Sequence, residues 1–331
     1  MAISIEDIKK LRAMTGAGLA DVKKALTEAE GDFDKAKELL RERGLAIAAK
    51  RSDRETSNGC VLVKNVDGFA AMIALKCETD FVANGADFVK LTSDILDAAI
   101  AAKCHTLDEV KALKLGEGDV QAAVTQRSGI TGEKMELDGY CVLEGDNIEV
   151  YDHMNKHTLC TMVQLNENNE EAGHKVAMQV AAMRPVALDE SSVSEETKKT
   201  ELEVAVAKTK EELVEKAVNA ALKKAGINPA HVDSEEHIES NTKKGWLTPE
   251  QAEEARNIKK TVGEEKAASL NPTMIQNIAN GRLAKFFKEN CLVDQEFQFG
   301  DGDKQTVAQY LASQSKDLKI VAYQRFTLAA E

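Results

Sequence analysis

CVLVKNVDGFAAMIAL, residues 60–75, holds two apolar runs, Cys60–Val63 and Phe69–Leu75, on either side of Val66-Asp67-Gly68. An Asp-Gly pair between apolar runs signals a hairpin, because both residues tolerate the left-handed backbone of a tight turn. Strand pairing is expected to begin here. A second hairpin is expected from Tyr140–Leu143 and Ile148–Tyr151 around Glu144–Asn147, with Thr158–Leu165 adding a further strand. Between them Ala86–Ala102 and Val120–Ser128 read as helices, and Ile320–Leu328 reads as a terminal strand. Hairpins interleaved with helices predict an α+β core built on antiparallel sheet.

Upstream, Ser4 can cap a helix bearing Ile5, Ile8 and Leu11, which Thr15–Gly18 (TGAG) then breaks. A second helix carries Leu19, Val22, Leu26 and Ala29 and ends at Gly31. Asp32 can cap a third, with Phe33, Ala36, Leu39 and Leu40, ending before Gly44. So small a core suits an appended docking module. The polar run Arg51–Gly59 reads as a linker, with a domain boundary near residue 56.

Downstream, HKVAMQVAAMRP (174–185) has helical spacing and stops before Pro185. Ser194–Ala225 is charged and helix-favouring, with Leu202, Val206, Leu213 and Val218 along one stripe, ended by Gly226 and Pro229. Thr248-Pro249-Glu250-Gln251 is a helix start with a threonine cap, a first-turn proline and a glutamine that reaches back. Two long amphipathic helices over 190–271 predict a protruding helical hairpin. Pro272 marks its return, and Met274–Phe287 gives one more helix. The expected division is 1–55 for the helical module with linker, 56–139 and 140–189 with 272–331 for two core subdomains, and 190–271 for the protrusion.

A chain of 331 residues exceeds one core, and 43% hydrophobic with 30% charged residues is ordinary for a soluble protein. No window approaches the uninterrupted apolar length of a membrane span, so no membrane association and a cytoplasmic location are expected. The net charge of −13 repels phosphate backbones, which argues against direct nucleic-acid binding and for a protein partner. Six cysteines without a C-x-x-C pair read as reduced, buried thiols.

Three separated segments resemble the bacterial elongation factor Ts family, in that family's order: LRAMTGAGLADVKKALTEAEGD (11–32), CETDFVAN (77–84), and HKVAMQVAAMRP (174–185) with IANGRLAKFFKEN (278–290). The resemblance implies a ubiquitin-associated-like N-terminal domain and an enlarged helical protrusion. It further implies a guanine-nucleotide exchange factor that binds the GTPase elongation factor Tu in its GDP form, with no cofactor and no covalent catalysis. In that family the TDFV motif intrudes near the GTPase's magnesium and phosphate site, which carries the role to Thr79, Asp80, Phe81 and Val82 here. The ordinary fate of Phe81, judged without the resemblance, would be a place inside the core.

Two departures stand out. The family usually has methionine after TGAG, where this chain has Leu19 and Ala20, so Leu19 takes the contact position. The family's glycine-rich segment, close to HGGRIGVLV, reads HMNKHTLCTMV at 153–163, with His153 aligned as a partner contact. His153, His157 and Cys160 could share one side of a strand, but a metal would need a fourth ligand that the sequence does not offer. Two other classes stay in play: a cysteine-nucleophile enzyme, against which no nucleophile-elbow or P-loop pattern appears, and an adaptor that leaves nucleotide equilibria unchanged. The amphipathic stripe of the protrusion also suits self-association as a homodimer.

Overall fold

In the computed structural model, which describes residues 3–300, 302 and 304–329, the Asp67-Gly68 turn closes a hairpin. Both turn residues are left-handed, with φ of 49° and 79°. The pairing then runs without slip from Val66 opposite Phe69 to Asn58 opposite Cys77. Along the chain come α1 (Ile5–Thr15), α2 (Leu19–Glu28), α3 (Phe33–Ala49), β1 (Asn58–Val66), β2 (Phe69–Cys77), α4 (Asp80–Ala83), α5 (Ala86–Ala101) and α6 (Leu107–Ala112). A ribbon of β3 (Lys114–Leu115) and β4 (Gly118–Asp119) leads into α7 (Val120–Thr131), β5 (Met135–Glu144), β6 (Ile148–Asp152), β7 (Leu159–Leu165) and α8 (Glu170–Met183). The helices α9 (Glu195–Lys224), α10 (Glu235–Lys243), α11 (Pro249–Ala268) and α12 (Pro272–Asn290) follow, then α13 (Val307–Gln314) and β8 (Ile320–Thr327). The class is α+β. The chain divides into two units, Met1–Leu188 with Glu296–Glu331, and Asp189–Gln295.

The first unit is organised by β2, the middle strand of the sheet β1-β2-β5. Alternate residues of a strand face opposite ways, and here both faces are covered. Phe69, Ala71, Ile73, Leu75 and Cys77 join a core with Phe88, Ile95 and Leu96 of α5 and Val120 and Val124 of α7. Ala70, Met72 and Ala74 join a second core with Ile148, Cys160 and Met162 of the sheet β6-β7-β8. On the far side of that sheet α8 packs against β7, where the Thr161 hydroxyl donates to the Ala177 carbonyl at 3.0 Å. The layers thus run helix, sheet, sheet, helix.

The hairpin expected between Tyr140–Leu143 and Ile148–Tyr151 does not form. Residues 135–144 pair instead with β2, and β6 pairs with β7. The physical reason lies at the corner between them. Gly145 (φ 132°) and Asn147 (φ 58°) turn the chain from one sheet to the other, and the Gly145 amide donates to the Gly68 carbonyl at 2.9 Å. Leu143 and Ile148, on either side of this corner, both enter the core between the two sheets.

The N-terminal helices close on Leu11, Val22, Ala25, Leu26 and Ala36. Ser4 and Asp7 form a reciprocal capping box on α1. The third helix does not stop before Gly44 as expected but runs on to Ala49, because Gly44 is a packing site. It faces Gly129 of α7 so closely that a Cβ on Gly129 would lie 2.2 Å from the Gly44 Cα.

In the second unit α9 packs against α11 and α12. The Arg282 guanidinium of α12 donates twice to the Glu212 carboxylate of α9, at 3.1 and 2.5 Å. Helix α12 falls within the Asp189–Gln295 unit. The Thr248 capping box forms as expected, with Pro249 in the first turn. Among the described residues no helix is long and apolar enough to cross a membrane.

Candidate functional site

The motif Thr79–Val82 lies where β2 leaves the sheet. Cys77 is the last strand residue, Thr79 has extended backbone, and Asp80–Ala83 make one helical turn, α4. Thr79 caps it: its hydroxyl accepts from the Val82 amide at 3.4 Å. Ala83 is buried and Val82 is half-buried against the core below. Phe81, one residue earlier on the turn, points outward and is 87% exposed. The ordinary packed place of a phenylalanine is not taken here, because 3.6 residues per turn cannot direct 81, 82 and 83 to one face. Asp80 is exposed beside it.

What holds this turn comes from elsewhere in the chain. The Glu133 carboxylate accepts from the amides of Glu78 (3.2 Å) and Thr79 (3.1 Å) and from the Thr79 hydroxyl (2.7 Å). The Glu78 carboxylate in return accepts from the Lys134 amide (2.6 Å), from Arg54 (2.7 Å) and from Arg51 (3.4 Å). The Lys134 amide first, and then the Arg54 guanidinium, hold the Glu78 carboxyl below the usual glutamate range. Two further bonds finish the anchorage: the Asn58 amide group donates to the Glu78 carbonyl (2.9 Å), and the Asn84 amide group to the Asp80 carbonyl (2.8 Å). Sequence reasoning missed Glu78, Glu133, Arg51 and Arg54. Nothing local marks a bond between positions 54 residues apart.

The other two expected contact residues are presented by their own elements. Leu19 opens α2 after Gly16 (φ 68°) and Gly18, and is 59% exposed. His153 lies in the β6–β7 connection, a short irregular turn rather than a strand, so it and His157 do not share a strand face. The glycines expected of this loop are missing, yet Met154, Asn155 and His157 take φ of 57°, 54° and 55°. Asp152 compensates by accepting from the His157 amide (3.1 Å) and ring Nδ1 (2.5 Å). Tyr151 meets His153 Nδ1 through its hydroxyl at 3.1 Å. Cys160 faces inward, its thiol donating to the Val61 carbonyl. Among the described residues no group of three His, Cys, Asp or Glu side chains could hold a metal ion.

Phe81 is thus held out of the core on a helical turn anchored by two carboxylates. Comparison with known proteins identifies the family. The family model described as "Elongation factor TS" matches residues 78–330. Elongation factor Ts of Bacteroides fragilis is 63% identical, that of Parabacteroides distasonis 60%, and that of Porphyromonas gingivalis 39%, each over the full length of both chains. The chain belongs to the elongation factor Ts family.

Proposed function

We propose that this chain is a cytoplasmic guanine-nucleotide exchange factor that binds elongation factor Tu in its GDP form and speeds GDP release. The observation that carries the proposal is Phe81, an apolar side chain kept 87% exposed on a turn that is otherwise firmly bonded. Isolated aromatic side chains on a rigid base are the anchors that dominate protein interfaces. Wedged into the GTPase beside its magnesium and phosphate site, Phe81 displaces an element that helps hold the ion. With the metal loosened, the charge on the phosphates is less compensated and GDP leaves faster. Asp80 adds a negative carboxylate next to the same phosphates. Thr79 and Val82 fix the turn, while Leu19 of the N-terminal helical domain (1–55) and His153 extend the contact.

The coupling is reciprocal: a protein that weakens nucleotide binding is itself bound less tightly once nucleotide returns, so GTP expels it. No covalent step is needed, and nucleotide concentrations set the direction. In the same reading the helical protrusion (190–271) serves self-association, with Val204 of α9 among the apolar residues left exposed on it.

The test is release of a fluorescent GDP analogue from elongation factor Tu. Burying a phenylalanine contributes about 1.5–3 kcal/mol, so Phe81→Ala should lower exchange efficiency by roughly tenfold or more. Asp80→Ala should also lower it. If well-folded native protein binds the GTPase without accelerating release, the adaptor reading replaces this one.

A further inference from the structure

A single helical turn does not hold its own shape in water, since nucleation fixes several residues for one hydrogen bond. α4 is four residues long, and its outermost side chain, Phe81, touches no core. The direction in which Phe81 leaves the scaffold must therefore be set by bonds made to the turn from outside it. Cys77 contributes one, its thiol donating to the Thr79 carbonyl at 3.2 Å. The strongest set comes from Glu133.

We propose that Glu133 is the positioning residue of the Phe81 tip, setting how fast the bound GTPase releases nucleotide rather than how tightly it is bound. This rests on the exchange reading above. Three features of the geometry support it. First, one carboxylate accepts three donors, two amides and a hydroxyl, which fixes both the end of β2 and the cap of α4. Second, the bonds form a relay. By donating its proton to Glu133 at 2.7 Å, the Thr79 hydroxyl is oriented to offer a lone pair to the Val82 amide. That amide lies one residue beyond Phe81, so rotation of the turn would break the relay. Third, Glu133 is itself fixed. It follows Gly132 (φ 72°), its amide donates to the Thr131 hydroxyl at 3.3 Å, and its carbonyl accepts from the Ser128 hydroxyl at 2.5 Å. The neighbouring Lys134 amide reaches the Glu78 carboxylate at 2.6 Å, so each strand end holds the other.

A misplacement of about 1 Å in a positioned group is enough to cost rate by one to two orders of magnitude. Affinity is spread over a much larger surface and responds less. In Glu133→Ala the maximal rate of fluorescent GDP release from elongation factor Tu is expected to fall about tenfold, with the half-saturating concentration changed by less than about twofold. Glu133→Gln should recover part of the rate, because its amide oxygen still accepts from the two backbone N–H groups while its NH2 cannot accept the Thr79 hydroxyl proton. In a Phe81→Ala background, Glu133→Ala should lower the rate no further. Hydrogen exchange at the Val82 and Ala83 amides, measured without the GTPase, should speed up most in Glu133→Ala and less in Glu133→Gln.

Several results would overturn the proposal. One is an unchanged maximal rate in Glu133→Ala while Phe81→Ala loses activity, which leaves the exchange reading intact. Another is an equal rate loss from Glu133→Ala with and without Phe81, which makes Glu133 merely structural. Unaltered hydrogen exchange at Val82 removes the relay. If native protein fails to accelerate release at all, the exchange reading falls first and this proposal with it.

Discussion

Replacing Gly129 with alanine is expected to force α3 away from α7. A Cβ on Gly129 would lie 2.2 Å from the Cα of Gly44, 2.8 Å from its carbonyl carbon and 2.9 Å from its oxygen. All three are backbone atoms of the facing helix, so no rotamer change relieves the clash. Ordinary contact begins at 3.4 Å, so the helices must part by about 1.2 Å at this crossing. Overpacking of this kind costs about 3 kcal/mol at the upper end of its range. Alanine returns about 1 kcal/mol through its helix propensity. The net loss is therefore about 2 kcal/mol, concentrated where the N-terminal helices dock on the core. Gly281 of α12 is the internal control: nothing lies within 4 Å of a Cβ there, so Gly281→Ala should gain about 1 kcal/mol. Urea unfolding measures both changes, and limited proteolysis across Arg51–Thr56 reports detachment of the module. The reasoning is refuted if Gly129→Ala is as stable as the native protein, or is stabilised like Gly281→Ala.

Two other expectations concern titration. The Glu78 carboxyl is held low in the folded state by the Lys134 amide and Arg54. Its contribution to stability is therefore fully present above the unfolded glutamate value and is lost as pH falls through the lower folded value. The stability difference between native protein and Glu78→Gln, followed by urea unfolding from neutral into acid solution, should shrink across that window; a difference independent of pH would contradict the assignment. Burial pushes the thiols of Cys60, Cys77 and Cys141 up to about 12 and that of Cys291 up to about 11. Iodoacetamide at neutral pH should label the native protein far more slowly than the denatured chain, and mass spectrometry that finds any of these thiols modified at the denatured rate would refute this.

Much of the secondary structure was legible in the residues themselves. The Asp67-Gly68 hairpin, the Ser4 and Thr248 caps and the long charged helix after Ser194 are set within a few positions. Their causes are backbone preference and side chain-to-backbone bonds that reach three residues or fewer. The quoted motifs likewise located Thr79–Val82 through family resemblance. Residue type said nothing of Phe81's exposure, because the same CETDFVA run could end in a turn with the ring packed inside.

Tertiary structure decided everything that depends on a partner distant in the chain. Whether 140–143 pairs with the strand after it or with β2 depends on β2, more than 60 residues earlier, offering its second edge to β5, and periodicity reads the same for both. Gly44 carries the local signal of a helix stop, and only Gly129 facing it makes it a crossing point inside a continuous helix. Glu133 and Glu78 look like any exposed glutamates until folding brings the end of β2 beside the start of β5. The sequence by itself determined the elements and the family motif, since these follow from short-range backbone and side-chain chemistry. Strand order, helix contact and the hold on Phe81 required the folded chain, because each is a bond between groups that only packing brings together.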